Sequence, residues 1–269
     1  MSISIDQLRQ QFDRYQRQFA DEPDSERITT EHVTRSLWHR HQMGMVLHSQ
    51  LTPATADQAI AQEIAFFADL GYSFEWKHYS YDQPPDLPDR LLHHGFQAGE
   101  VEAVLVLPIA VAPEKLLAPI TLDIRKATTR EHFADVDQVH YAVWKDDPAL
   151  DHVTPTMMTD WFLSRYQQYP DSLSMYVVYV DGQPISYGRV EFLPENPFAS
   201  IWGGSTLPAY RKRGIYTQLV AQRLQEARAR GCQYLTVDAR QDTSMPILQK
   251  LGFIRIADAT AYNWHATPT

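Results

Sequence analysis

The stretch Ser205-Thr206-Leu207-Pro208-Ala209-Tyr210-Arg211-Lys212-Arg213-Gly214-Ile215-Tyr216-Thr217-Gln218-Leu219-Val220 places three adjacent cations and a glycine in front of an amphipathic run. A strand pattern ends at Leu207, where Pro208 stops it, and a helix pattern begins at Gly214. The first turn of a helix has amide N–H groups without intrahelical partners and a partial positive charge. Acidic side chains usually accompany such a turn, yet here the neighbours are Arg211, Lys212 and Arg213. The arrangement suits an anion. Main-chain amides converge on one point, and Gly214 lets the backbone come close and adopt angles closed to other residues. Each charge-assisted bond to such an anion contributes about 1.5–3 kcal/mol.

Taken alone, Arg-x-x-Gly reads as a solvated basic loop. Three neighbouring features favour the anion site: Pro208 ends the strand, the following helix is long, and a further strand and a short helix ending Leu248-Gln249-Lys250-Leu251-Gly252-Phe253 come next. No Gly-Lys-Ser/Thr follows, so the turn is not a nucleotide P-loop. Gly-x-Gly-x-x-Gly is absent too, which excludes the dinucleotide fingerprint.

The rest of the chain sets the frame. It has 269 residues, a formal charge of −9 and 44% apolar residues. That composition supports a packed core, and the length suits two domains or one large one. The apolar run 101–111 is interrupted by Glu102 and Pro108 and falls well short of the roughly 20 residues a membrane helix needs. The start Met1-Ser2-Ile3-Ser4-Ile5-Asp6 lacks the features of a signal peptide, and Cys232 has no cysteine to pair with. The expectation is a cytoplasmic protein that binds neither membrane nor, given its acidity, nucleic acid. The negative charge fits a cationic small substrate, and equally an ordinary soluble surface.

Hydrophobic spacing predicts helices over 5–20, 55–70, 86–94, 130–144, 155–169, 214–230 and 243–251, with a short helix start at 30–33. Thr154 reads as an N-cap with Pro155 at the first helical position. Strands are expected over 43–51, 73–79, 101–107, 120–125, 174–180, 184–193, 199–207, 234–239 and 254–264, with a hairpin turn at Asp181-Gly182. Pro108, Pro113 and Pro119 mark a linker, so the expected domains are 1–116 and 117–269. The second has the order β-α-α-β-β-β-α-β-α-β. The halves echo each other. Ala61-Gln62 and Gly71 recur 160 residues on as Ala221-Gln222 and Gly231, and His94-Gly95-Phe96 recurs as Leu251-Gly252-Phe253. This points to a pseudo-repeat of one α/β unit with a mixed sheet.

Leu207-Pro208-Ala209-Tyr210-Arg211-Lys212-Arg213-Gly214, followed by Leu251-Gly252-Phe253, resembles the GNAT (Gcn5-related) N-acetyltransferases, whose acetyl-CoA motif is Arg/Gln-x-x-Gly-x-Gly/Ala after a strand. The resemblance covers about 120–264 and is strongest over 205–253. It implies a GNAT domain preceded by a degenerate GNAT-like half, and an enzyme that transfers an acetyl group from acetyl-CoA to a primary amine of a small molecule or peptide, as a monomer or homodimer and without a metal. It further implies that the amides of Arg213, Gly214, Tyr216 and Thr217, with Ile215 between them and the charges of Arg211 and Lys212 beside them, bind the pyrophosphate. Thr206 and Leu207 would pair with pantetheine like an added strand, with Gly203-Gly204 as a bulge or close approach. Ser244 matches a position where the family often has a pantetheine-contacting Asn. One departure is Tyr216, where the family has a small residue. Its side chain either crowds the pyrophosphate or points away, leaving only its N–H in use. The first half has Leu51-Thr52-Pro53-Ala54-Thr55-Ala56-Asp57 in place of the motif. Without Arg-x-x-Gly, and with an acid, it is expected not to bind CoA.

Acyl transfer needs a neutral amine, a polarised thioester carbonyl and a route for the thiolate's proton. The resemblance implies a polarising amide near Thr206 or Leu207. The family's frequent tyrosine acid is Leu248 here, and no acid lies in 198–207. Glu191 is the candidate base, and an exposed strand glutamate is its alternative. Asp238, a water relay and direct attack by a neutral amine remain. His39 and His41 lack a third metal ligand, and His93-His94 suits a helix end. Cys232 reads as a structural thiol, and Trp144, Trp161 and Trp202 as core or groove walls. Asp146, Asp147 and Asp151 form an acidic loop that either attracts an amine or is simply solvated. Two other functions compete: a non-catalytic CoA or acyl-CoA sensor, supported by the missing acid and base, and a nucleic-acid module using Arg211-Lys212-Arg213, opposed by the net charge.

Overall fold

The computed structural model describes residues 3–146, 154, 156 and 158–266. They form two compact units. One contains the chain up to Val106 together with Asp238–Lys250 and the residues from Ile254 onward; the other contains Leu107–Val237 and Leu251–Phe253.

In the first unit, helix α1 (Ile5–Phe12) opens with a capping box between Ser4 and Gln7 and continues as a π-helical segment, Asp13–Gln18. Strands β1 (Glu26–Thr29), β2 (Val33–Trp38) and β3 (Met43–Ser49) follow, then α2 (Ala56–Leu70), β4 (Ser73–Tyr79), α3 (Leu87–His93) and β5 (Gln97–Pro108). The expected helix start at 30–33 is instead a hairpin turn. Thr30 N donates to Val33 O at 2.8 Å and Thr30 Oγ1 accepts from Val33 N at 3.1 Å. The same threonine chemistry that caps helices also closes turns, so sequence alone cannot separate them. Ala56, Ala59, Ile60 and Phe67 of α2 pack on Phe74 and Trp76 of β4. Gly71, at φ 69°, ends α2 in the left-handed region, which favours glycine.

The second unit has β6 (Asp123–Lys126), α5 (Arg130–Trp144), α6 (Thr159–Gln168), β7 (Leu173–Val180), β8 (Gln183–Phe192), β9 (Phe198–Thr206), α7 (Ile215–Ala229) and the first residues of β10 (Tyr234–Arg240). A short helix, α4 (Glu114–Leu117), precedes β6. Its strands are ordered β10-β9-β8-β7-β6, with β9 and β10 parallel and the other neighbours antiparallel. Asp181 and Gly182 both have positive φ, the geometry of a type I′ hairpin turn. α6 starts later than expected. Pro155 lies outside the described residues, and the cap is supplied from α5: the buried Asp137 carboxylate accepts from Met158 N at 2.9 Å and Thr159 N at 2.6 Å. Phe133, Val136 and Val139 of α5 pack against Phe162 of α6 and Val177 of β7.

The repeat is visible in the order of elements along the chain, although the short helix Ser244–Lys250 is counted with the first unit. α2 and α7 are both 15 residues long. Each leads into a strand that pairs in parallel with the strand before the helix, β3 with β4 and β9 with β10. A short helix comes next, α3 or α8 (Ser244–Lys250). The last strand, β11 (Ile254–Trp264), departs from the expected boundary. It runs antiparallel between β4 and β5, as Tyr262↔Trp76 and Ala259↔Glu102 show, and so belongs to the first unit. Its alternation predicts a strand but carries no information about partners, which depend on long-range register.

Candidate functional site

The site is built on β9 and the turn into α7. On the β10 side, β9 is paired at Phe198, Ala199 and Ser200 only. Among the described residues, the backbone of 201–206 has no strand partner on that edge. On its other side β9 pairs with β8, with Tyr187 opposite Ser205 and Arg189 opposite Trp202. Two residues, Gly203 and Gly204, thus face the single Gly188. This is a β-bulge, as the glycine pair suggested. Gly203 takes φ 58°, a left-handed angle suited to glycine.

The chain turns through a 3-10 segment, Pro208–Tyr210, and then through left-handed Lys212 (φ 63°) and Gly214 (φ 78°) into α7. No side chain caps α7 and no acid lies in its first turn. The amides of Ile215, Tyr216 and Thr217 therefore have no intrahelical acceptor, while the Ile215 side chain is buried in the core. Arg211, Lys212, Arg213 and Gly214 are exposed. Arg211 Nε donates to Thr206 O at 3.0 Å, tying the loop to the strand end, and Arg213 lies over the Tyr210 ring. The expected residues 206–217 thus stand together in one turn, from the end of β9 to the uncapped start of α7.

Two details refine the expectation. Leu207 N already donates to Ile185 O at 2.9 Å, and Leu207 O accepts from Tyr210 N at 2.9 Å. Its main chain belongs to the turn, so a ligand strand has 201–206 to pair with. Tyr216 points away from the loop, as the second of its two readings had it. Its ring lies against Gly204, where an added Cβ would sit 2.6 Å from Cε2. Burial lifts its phenol, partly offset by the Arg223 cation. Arg223 is buried below the bulge, where its Nη1 donates to Arg189 O at 3.2 Å and Trp202 O at 3.4 Å. Burial pulls that guanidinium down to about 10.

Glu191 is neither exposed nor unpaired. Its Oε1 accepts from Arg189 Nε at 2.7 Å, and Arg165 Nη2 stands 3.6 Å from Oε2. A carboxylate held by two guanidiniums is an ion-pair residue, and using it as a base would mean breaking that pair. Strand alternation showed its sheet face but not the arginine brought alongside by α6. Asp238 is likewise engaged, 3.0 Å from Lys77 Nζ within the first unit. Ser244, also in that unit, donates through Oγ to Arg240 O at 3.4 Å.

One constellation centres on two residues not singled out from the sequence, His140 and Tyr187, beside Trp144 and Ser205. His140 Nδ1 lies 2.7 Å from Tyr187 Oη, and Trp144 Nε1 donates to Ser205 Oγ at 2.9 Å. Tyr187 stands over the bulge: its Oη is 3.6 Å from where a Cβ on Gly203 would lie. Burial lowers the His140 imidazole and pushes the Tyr187 phenol up to about 12. A signal existed in the sequence, since Phe133, Val136, Asp137, His140 and Trp144 share one helical stripe and a polar residue on a buried stripe needs a partner. The partner is 47 positions away, which no local pattern reveals.

The remaining candidates are placed as follows. His39 bridges exposed Glu26 at 2.8 Å, and no metal-binding cluster occurs among the described residues. His94 contacts Asp57 at 3.2 Å. Burial raises the Cys232 thiol, which opposes nucleophilic use. Asp147 and Asp151 lie outside the described residues. No helix is long and apolar enough to cross a membrane.

Comparison with known proteins bears on the fold and the family. Residues 133–253 match the Acetyltransferase (GNAT) family model. A tandem GNAT protein from the clavulanic acid biosynthesis pathway aligns over 100% of this chain and 89% of its own, at 13% identity and TM-score 0.61. A GCN5-related N-acetyltransferase from Kribbella flavida aligns over 89% of both chains, at 15% identity and TM-score 0.64. A functionally unknown conserved protein from Staphylococcus epidermidis covers 91% of this chain and 96% of its own, at 15% identity and TM-score 0.67. No curated protein matches the sequence significantly. Residues 133–253 are thus a GNAT acetyltransferase domain, and the chain as a whole has the fold of a tandem GNAT protein.

Proposed function

We propose that the protein is an acetyl-CoA-dependent N-acetyltransferase acting on a primary amine of a small molecule or peptide, with one cofactor site, in the second unit. The observation that carries this reading is the juxtaposition of an uncapped, cation-flanked helix start with a strand edge left unpaired beyond Ser200. A pyrophosphate would accept from the amides of Arg213, Gly214, Tyr216 and Thr217, with Arg211 and Lys212 adding charge. Pantetheine amides would pair along β9 up to Thr206, as an added strand. The bound cofactor supplies the activated acyl group, while the chain binds it, orients it and manages the proton.

The first unit is read as a non-binding half. At the position of the cradle, Asp57 is ion-paired with Arg90, and this carboxylate would repel a phosphate. At the β3 edge the buried Arg17 Nε donates to Leu47 O at 2.9 Å, where an added strand would have to pair.

A second reading, a CoA-binding sensor without turnover, is favoured by the engagement of Glu191 in its ion pairs. Calorimetry with acetyl-CoA, on the wild type and on Gly214→Asp, tests the cofactor site. Aspartate tolerates a left-handed φ better than most residues, and no atom lies within 4 Å of the added Cβ. One equivalent should bind to the wild type and none to a folded variant. Equal affinity in both would refute the cradle. Turnover with a panel of amines then separates enzyme from sensor.

A further inference from the structure

We infer that His140 is the general base of acyl transfer at this site and that Tyr187 is its positioning residue. The inference rests on the acyltransferase reading above and supplies the base that Glu191 does not.

The argument is geometric. His140 sits on the helix face that packs over β8 and β9, and is partly exposed, while Tyr187 is fully buried. Their 2.7 Å contact fixes the imidazole by its Nδ1. Nε2 has no hydrogen-bond partner among the described residues, so one nitrogen is anchored and the other is free. The anchor stands over Gly203, on the bulge of the strand whose outer edge lacks a partner. The Tyr187 ring also makes an edge-on contact with His140 at 6.0 Å between centroids. Trp144 holds Ser205 from the same helix as His140. A base oriented by a second group is the recurring arrangement for proton transfer.

The charged and titratable groups acting on His140 are Asp137 on its own helix and Arg189 and Tyr187 on β8. Burial lowers the imidazole first; Asp137 opposes it and Arg189 reinforces it. A neutral imidazole is what a base requires, and it is retained below the usual 6.5.

The step balances as follows. The amine nitrogen lone pair attacks the thioester carbonyl carbon, forming the N–C bond and moving the C=O pair onto oxygen. The N–H proton passes to His140 Nε2, with Nδ1–H donating to Tyr187 Oη. The C=O re-forms, the C–S bond breaks and its pair leaves on sulfur. The proton held by His140 then neutralises the thiolate, giving amide and CoA thiol. One group serves in both directions, which accounts for the absence of a tyrosine at Leu248.

Thiol release from acetyl-CoA, measured against pH with a panel of primary amines and with water as acceptor, tests this. His140→Gln keeps the size and the bond to Tyr187 but cannot take a proton. It should lower kcat on the order of 100-fold, leave acetyl-CoA affinity unchanged, and abolish the rise in rate with pH that the wild type should show below 6.5. Tyr187→Phe should lower kcat less and move that rise. A merely structural pair would change stability without moving the pH profile. A His140→Gln enzyme with the wild-type rate and pH step would overturn the inference. So would a wild type that binds acetyl-CoA yet releases no thiol with any acceptor, an outcome that leaves the cofactor site standing. Absence of acetyl-CoA binding would instead sink the cofactor reading, and this one with it.

Discussion

The ring of Tyr216 occupies the space that a side chain on Gly204 would need, with Cε2 2.6 Å from the absent Cβ. The two residues are read separately from the sequence, as a bulky departure from a motif and as part of a bulge or close approach. In the structure they are one packing solution, in which a large side chain at the helix start is accommodated by deleting one on the strand. Gly188, on the neighbouring strand, does the same for Arg223, whose Cζ lies 3.1 Å from the Cβ position.

Gly204→Ala should therefore destabilise the protein by about 1–3 kcal/mol through overpacking. Adding Tyr216→Ala should recover much of that loss relative to Tyr216→Ala alone, because the clash partner is gone. Urea unfolding of the four members of this cycle gives the coupling. Strictly additive effects would show that the ring moves aside at no cost.

Glu191→Gln should act on stability before it acts on chemistry. It leaves Arg189 and the buried Arg165 without their carboxylate, a loss of about 3 kcal/mol. The pH dependence of the rate should keep its wild-type form. A selective fall in kcat at neutral pH, with the unfolding midpoint unchanged, would restore Glu191 as the base.

Arg17 holds the first unit's β3 edge. It bonds Asp82 twice at 2.8 Å, Asp13 at 2.7 Å and Leu47 O, and it stacks 4.1 Å from the Tyr79 centroid. Arg17→Met strands two carboxylates and should cost about 3–5 kcal/mol. The double variant Arg17→Met/Asp82→Asn should cost less than the sum of its parts. Chemical denaturation measures both, and a single variant as stable as the wild type would contradict this role.

Glu226 on α7 should contribute to acid sensitivity. Burial alone would raise its carboxyl, but hydrogen bonds from Tyr176 (2.7 Å), Ser174 (2.8 Å) and Arg230 (2.8 Å) more than reverse this and lower it. A depressed folded-state pKa stabilises the protein above the ordinary glutamate value of 4.5. That stability is lost as pH falls through the folded-state value. The stability difference between wild type and Glu226→Gln should thus shrink as pH drops from 7 toward 3. A pH-independent difference would mean that the carboxylate's charge does not matter.

The sequence by itself determined the local order. Helical and strand periodicities, the glycines after α2 and α7 and the type I′ pair Asp181-Gly182 depend on neighbours a few positions away, and they predict the elements well. The strand-to-helix turn before Gly214 was legible for the same reason: it is built from consecutive residues, 206–217. Tertiary structure decided everything that depends on which surfaces meet. It placed the last strand between β4 and β5, put guanidiniums around Glu191, seated Tyr216 on Gly204 and set Tyr187 against His140. Alternation reveals which face a strand residue occupies, but not what another element lays over that face. An ion pair or a proton relay between residues tens of positions apart exists only once packing has brought them within about 3 Å.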